Sequence, residues 1–161
     1  PAEALRRALK DWLAKDRSFD ITDRDQTFRD VPRRVGTALD FVVTGHTHLE
    51  RALRIQDGVD RFYYNCGTWI RLLRFTDFVL DRPEAFREVY QTLADGRMDT
   101  LDRASIPTAS GAREPFILDR TSVVRISSQP NGVNGVLCHV RDARPGTVEP
   151  DPVDASEFWR R

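Results

Sequence analysis

Residues 41–48 read FVVTGHTH, a short run of aromatic and β-branched residues that leads through Gly45 to His46 and His48. The run before the glycine predicts a buried strand, and Gly45 predicts a tight turn where a Cβ would be hindered. Two histidines at i and i+2 after a strand can project the same way, roughly 7 Å apart at the backbone. Neutral imidazole binds Zn, Fe, Mn or Ni, so the pair are candidate metal ligands. Two ordinary polar loop residues are the alternative.

Strands are predicted on the C-terminal side of this stretch. Leu53 and Ile55 alternate with polar residues, and residues 61–65 and 69–75 follow as two further β-rich runs. We expect these three runs to form successive antiparallel strands. Later in the chain, Val124 and Ile126 face the alternating residues 136–140 across a turn at 130–132, which predicts a hairpin.

Helical spacing marks two other segments. Residues 5–13 form an amphipathic pattern, and residues 82–95 form a second, with Asp81 as the predicted N-cap and Gly96 as the stop signal. Polar or proline-rich composition predicts loops elsewhere. These are a connecting loop with one helical turn over 17–35, a loop over 103–115 and an extended tail over 142–161.

Composition indicates one soluble globular domain. The chain has 161 residues, 40% hydrophobic and 31% charged, with 25 basic and 25 acidic side chains. A neutral chain has no long-range field for DNA, RNA or an anionic membrane, so nucleic acid, which is not excluded, would need a local basic patch. No apolar run is long enough to span a bilayer, and Cys66 and Cys138 are too few for a disulfide framework. A reducing cytoplasm is the expected location.

The stretch 41–48, followed by residues 64–69, YNCGTW, resembles the last conserved block of the calcineurin-like metallophosphoesterase superfamily. In that family a buried strand delivers a Gly-His-x-His turn to a two-metal centre, and the next core strand ends in an Asn-x-Gly-Ser/Thr turn. The resemblance implies the C-terminal half of a four-layer αββα sandwich over residues 1–141, with mostly antiparallel or mixed strands. It also implies hydrolysis of a phosphate mono- or diester. His46 and His48 would each bind one of two divalent ions, Mn, Fe or Zn.

The family's other ligand blocks, an Asp-x-His, a Gly-Asp and an Asn-His, are absent here, and none of the three histidines precedes His46. A binuclear centre also needs a bridging carboxylate, so the 161 residues alone are expected to be inactive. We therefore expect a companion N-terminal segment or chain that supplies the remaining ligands; the start at Pro1 agrees with a fragment. The alternative is a non-catalytic scaffold or binding module derived from the same fold.

Other polar residues have two possible roles, and none of them is identified as catalytic. Arg71 and Arg74 are candidate ligands of a substrate phosphate, with solvated or salt-bridged arginines as the alternative. Cys66 is interpreted as a small buried side chain rather than a nucleophile, and Asn65 as a residue that fixes its own turn. His139 is interpreted as an exposed or core-edge histidine.

Overall fold

The secondary structure is mixed α/β. A computed structural model describes residues 1–45, 47, 49–56, 58–144 and 147–160. Within these residues there are five helices and several small sheets, which are mostly antiparallel. The helices are α1 (Ala2–Leu13), α2 (Gln26–Val35), α3 (Asp77–Asp81), α4 (Pro83–Asp95) and α5 (Met98–Arg103). The strands are β1 (Phe41–Thr44), β2 (Glu50–Gln56), β3 (Asp60–Cys66), β4 (Arg71–Leu73), β5 (Ser105–Pro107), β6 (Arg113–Pro115), β7 (Ile117–Asp119), β8 (Thr121–Gln129), β9 (Gly132–Arg144), β10 (Thr147–Pro152) and β11 (Phe158–Arg160).

The chain divides into two compact units. Unit 1 contains residues 1–16 and 71–119, and unit 2 contains residues 17–70 and 120–161. None of the helices in the described part of the chain has the length and apolar character needed to cross a membrane.

Unit 1 is built around one apolar core to which α1, α3 and α4 contribute. Leu9 and Leu13 of α1 pack against it, which confirms the amphipathic helix predicted for the N-terminal segment. Two antiparallel strand pairs, β4 with β7 and β5 with β6, complete the unit. The buried residues of this core are Val79, Leu80, Phe86, Val89, Ile106 and Phe116.

The helix predicted for 82–95 is confirmed as α4, but its predicted start is wrong. Arg82 holds the N-cap position without a side-chain cap hydrogen bond, and Asp81 instead ends the preceding helix and pairs with Lys10 at 2.7 Å. Pro83 has no backbone N–H that would need an acceptor, and its fixed φ suits the first turn, so the helix begins there without a capping side chain. At the other end Gly96 adopts a left-handed conformation with φ of 66°, as its stop signal predicts.

Two loop predictions are wrong. Within 17–35 the chain forms the ten-residue α2, because Asp25 caps it by accepting a hydrogen bond from the Phe28 N–H at 2.9 Å. Phe28 packs against the apolar cluster that contains Tyr63. Pro32 is buried within the helix and does not end it. Within 103–115, strands β5 and β6 form a short antiparallel pair.

Unit 2 contains a three-stranded sheet in the order β1-β3-β2. Strand β1 runs parallel to β3, and β2 runs antiparallel to it, so β3 is the central strand. Its residues alternate between two apolar clusters. Tyr63 packs with Phe28 of α2, and Phe62 and Tyr64 pack with Leu137 of β9. The sheet is therefore covered on one face by α2 and on the other by β9 and its neighbours.

The second sheet of unit 2 is organised around the long strand β9. Strands β8 and β9 form the predicted hairpin, with Val124 opposite Leu137 and Ile126 opposite Gly135. Strands β10 and β11, which lie in the segment 142–161, also pair with β9. Phe158 of β11 stacks on Phe62 with ring centroids 5.0 Å apart.

The third predicted strand, over 69–75, is shorter than expected and has a different partner. Only Arg71–Leu73 is a strand, and it pairs with β7 of unit 1 instead of continuing the sheet of unit 2. Gly67 turns the chain after β3 with a positive φ of 65°. Trp69 then lies outside any strand and donates its indole N–H to the Ser122 carbonyl at 3.0 Å.

Candidate functional site

The two motif turns leave the same edge of the three-stranded sheet. Because β1 and β3 are parallel and pair Thr44 with Asn65, the residues after each strand begin side by side. A Cβ placed on Gly45 would lie 3.4 Å from the Gly67 carbonyl oxygen and 3.6 Å from Cys66 Sγ. These are ordinary van der Waals distances, so the prediction that a Cβ at Gly45 would be hindered is not supported by its described neighbours.

The candidate ligands His46 and His48 lie outside the described residues. Their neighbours Gly45, Thr47 and Leu49 are described, and they place this segment between the end of β1 and the start of β2.

Asn65 connects the two turns. It is fully buried; its side-chain N–H donates to the Thr47 hydroxyl, and its side-chain oxygen accepts from the Gly67 N–H at 2.9 Å. The bond to Gly67 confirms the prediction that Asn65 fixes its own turn. The bond to Thr47 adds a link to the segment between the two candidate histidines, which sequence reasoning missed.

Thr44 anchors the end of β1. Its hydroxyl donates to the Tyr64 carbonyl at 3.2 Å and therefore accepts from the Tyr63 hydroxyl at 2.9 Å. The thiol of Cys66 donates to the Thr44 carbonyl at 3.3 Å, and its side chain is half-buried. These bonds fit the interpretation of Cys66 as a structural side chain.

A second polar cluster lies at the start of β2. Only 14% of the Glu50 side chain is exposed. Both of its carboxylate oxygens lie 3.0 Å from His139 Nε2. Ser122 donates its hydroxyl to the same carboxylate, and Arg120 lies 3.7 Å from it. Burial raises the pKa of Glu50, but the hydrogen bonds of His139 and Ser122 outweigh it and hold that pKa below its ordinary value.

This cluster was not predicted. Ser122 and His139 face each other in the register of β8 and β9, which the hairpin pattern implies. Glu50 is far away along the chain, 89 residues from His139, and only the packing of the two sheets brings it there. The one sequence signal was its position two residues after His48.

The cluster is not arranged for nucleophilic catalysis. A serine nucleophile needs a histidine that accepts its proton, with the carboxylate behind the histidine. Here the carboxylate of Glu50 lies between Ser122 and His139 and binds both. The described residues also contain no group of three or more His, Cys, Asp or Glu side chains that could hold a metal ion.

Arg71 and Arg74, the candidate phosphate ligands, belong to unit 1, whereas β1 and the following turn belong to unit 2. Arg71 donates to Asp102, and a second carboxylate, Asp119, lies 3.9 Å away. Arg74 donates to Glu114. Both arginines therefore take part in ion pairs.

Comparisons with protein-family models, with curated proteins and with solved structures gave no match.

Proposed function

We propose that this chain forms part of a metal-dependent phosphoesterase, in which His46 and His48 bind metal. The supporting observation is the parallel pairing of β1 with β3, which brings Thr44 and the following Gly45 beside the start of the Asn-x-Gly-Thr turn. The bond from Asn65 to Thr47 joins these two segments between the histidines. Described residues of the two motifs, which are separate in the sequence, are thus neighbours at one sheet edge.

The finer fold assignment belongs to the same proposal. Leu137 of β9 packs against Phe62 and Tyr64 of β3, so two sheets face each other within unit 2. This arrangement supports the C-terminal half of a four-layer αββα sandwich.

Two imidazoles do not complete a binuclear centre. A pair of divalent ions, Mn, Fe or Zn, would supply a hydroxide nucleophile and stabilise the attacking and leaving oxygens of a phosphate mono- or diester. The described residues provide no group of three donors, so the other ligands would come from a companion N-terminal segment or chain. The role of this chain is then to present two ligands, and Asn65 positions the turn that carries them.

Metal titration of the chain tests the proposal. We expect isothermal titration with Mn²⁺ or Zn²⁺ to show binding that is lost in the His46→Ala/His48→Ala double variant. The variant His139→Gln is the matched control, because it removes the third histidine and should retain binding. Equal binding by the wild type and the double variant would overturn the ligand assignment.

The alternative is a non-catalytic scaffold or binding module. It is favoured by the way polar side chains at this edge satisfy one another, Asn65 with Thr47 and Glu50 with Ser122 and His139. A scaffold of this kind would bind neither metal in the titration, and its melting temperature would be unchanged by a chelator.

A further inference from the structure

A pocket lies at the end of the three-stranded sheet opposite the proposed metal edge. The proposed metal edge is where Glu50 pairs with Cys66, whereas the pocket is where Ile55 pairs with Arg61. It has a volume of about 490 Å³ and is enclosed by α2, the segment after it and the end of β2. That volume lies within the range of small-molecule sites.

One wall of the pocket is apolar. Phe28 and Pro32 lie one turn apart on α2, and the buried Ile55 faces them from β2. Phe28 is held by an edge-to-face contact with Tyr63, with ring centroids 5.4 Å apart. This wall offers a fixed aromatic and aliphatic surface to a ligand.

The rim of the pocket is strongly basic. Arg24, Arg29 and Arg33 line it with exposed side chains, and none of its described lining residues is acidic. Arg24 donates to the Gln56 amide oxygen at 3.0 Å, and Arg29 donates to the Arg24 carbonyl at 3.1 Å, both uncharged acceptors. Arg29 and Arg33 are at i and i+4 of α2, where like charges repel each other.

Nearby carboxylates are engaged away from this rim. Asp25 accepts hydrogen bonds from the Phe28 N–H at the start of α2 and from the guanidinium of Arg51. Asp30 accepts from the side chain of Gln26 at 2.8 Å. Asp60 pairs with Arg54. Within the described residues no carboxylate forms an ion pair with the three rim arginines. Among the described residues, the basic charge of the three rim arginines is therefore not compensated by a local ion pair, although the whole chain is neutral.

We infer that this pocket binds an organic phosphate. Guanidinium groups bind phosphate oxygens in a bidentate manner, so Arg29 and Arg33 would hold the phosphate. The ring or aliphatic part of the ligand would lie against Phe28 and Pro32. Arg61 donates to the Leu39 carbonyl at 2.8 Å and to the Gly36 carbonyl, which holds the segment that closes the pocket. None of these residues belongs to the proposed metal edge, so the two assignments are independent.

Calorimetry with the full chain tests this inference, with AMP, adenosine and inorganic phosphate as probes. AMP should bind, and adenosine and phosphate should each bind at least about tenfold more weakly, because each lacks one half of the recognised chemistry. The double variant Arg29→Gln/Arg33→Gln should weaken AMP binding by about tenfold or more. Higher salt should weaken it as well.

The matched control is Arg34→Gln/Arg87→Gln. It removes the same charge. Arg34 lies beside Arg33 on α2 and Arg87 is an exposed residue of α4, and neither lines the pocket. AMP affinity should stay within about twofold in this control, and circular dichroism should show that both double variants are folded. Absence of AMP binding at millimolar concentration would overturn the inference. Equal loss of affinity in the two double variants, or inorganic phosphate binding as tightly as AMP, would overturn it too.

Discussion

Asp25 joins the start of α2 to a buried arginine. One carboxylate oxygen accepts from the Phe28 N–H at 2.9 Å, and the other accepts from Arg51 Nε at 3.1 Å. Arg51 is only 1% exposed, and its second carboxylate neighbour, Asp23, is more distant at 3.5 Å. A buried guanidinium needs a charged partner, so Asp25 supports both the helix and the ion pair.

We expect Asp25→Ala to lower the free energy of unfolding by about 3 kcal/mol, because the helix cap is lost and Arg51 keeps only its longer ion pair. Asp25→Asn should have a smaller effect, since its amide oxygen still caps the helix while the charge is lost. Urea denaturation followed by circular dichroism measures both. Asp30→Ala on the same helix is the control and should change stability by less than about 0.5 kcal/mol. Equal effects of the alanine and asparagine variants at Asp25 would contradict the capping role.

Strand β9 approaches the three-stranded sheet closely at Gly135. A Cβ added there would lie 2.7 Å from Phe41 Cε1 and 3.0 Å from the Tyr64 hydroxyl oxygen. Both rings belong to the apolar cluster between β3 and β9. The packing of the two sheets therefore depends on the absence of a side chain at this position.

Gly135→Ala should destabilise the protein by about 2 kcal/mol, because the rings of Phe41 and Tyr64 must shift in a packed core. Gly45→Ala is the matched control. The nearest described atoms would lie 3.4 Å and more from its Cβ, so we expect a change of less than about 0.5 kcal/mol. Thermal unfolding of the two variants gives the comparison. A similar loss of stability in both variants would mean that the close approach of β9 to the three-stranded sheet does not cause the destabilisation by Gly135→Ala.

Elements with a local pattern were predictable from the sequence. The strand over 41–44, the hairpin of β8 and β9 and helices α1 and α4 agree with their residue periodicities. Helix α2 was missed because Pro32 was interpreted as an interruption, whereas the Asp25 cap and the packing of Phe28 stabilise the helix around it. The predicted pairing of β4 was wrong because strand pairing depends on residues that are distant along the chain, here 117–119.

The candidate site was predictable only in part, for a reason that belongs to the whole molecule. Neighbours along the chain, such as Asn65 and Gly67, were identified as one turn. The contacts of Glu50 with His139 and Ser122 depend on how two sheets of unit 2 pack. The neutral composition likewise gave no indication of the basic rim of the pocket on α2, because none of the described residues that line the pocket is acidic.

The stability of the whole protein should depend on pH in the alkaline range. Burial raises the pKa of Tyr63 and of Tyr64 above the ordinary value of 10.0. Above about pH 10 the unfolded chain releases these two protons while the folded chain retains them. The free energy of unfolding should therefore be constant with respect to these groups below about pH 10 and fall as the pH rises further.

Urea denaturation at a series of pH values measures this dependence. Each retained proton contributes a slope of up to about 1.4 kcal/mol per pH unit. Tyr64→Phe should reduce the slope of the free energy of unfolding against pH, because Tyr63 is then the only one of these two tyrosines that still retains a proton. An unchanged slope in this variant would contradict the assignment to Tyr64.

The two-unit division also has a consequence for synthesis on the ribosome. Each unit is formed by two chain segments, but unit 1 is complete at residue 119, whereas the second segment of unit 2 begins only at residue 120. During translation every segment of unit 1 emerges before β8 to β11 exist. The side chains of Phe62 and Tyr64 therefore remain uncovered until Leu137 has been synthesised. Exposed apolar surface of this kind on a nascent chain recruits chaperones. We expect unit 2, whose second segment is synthesised last, to be the unit that depends on them.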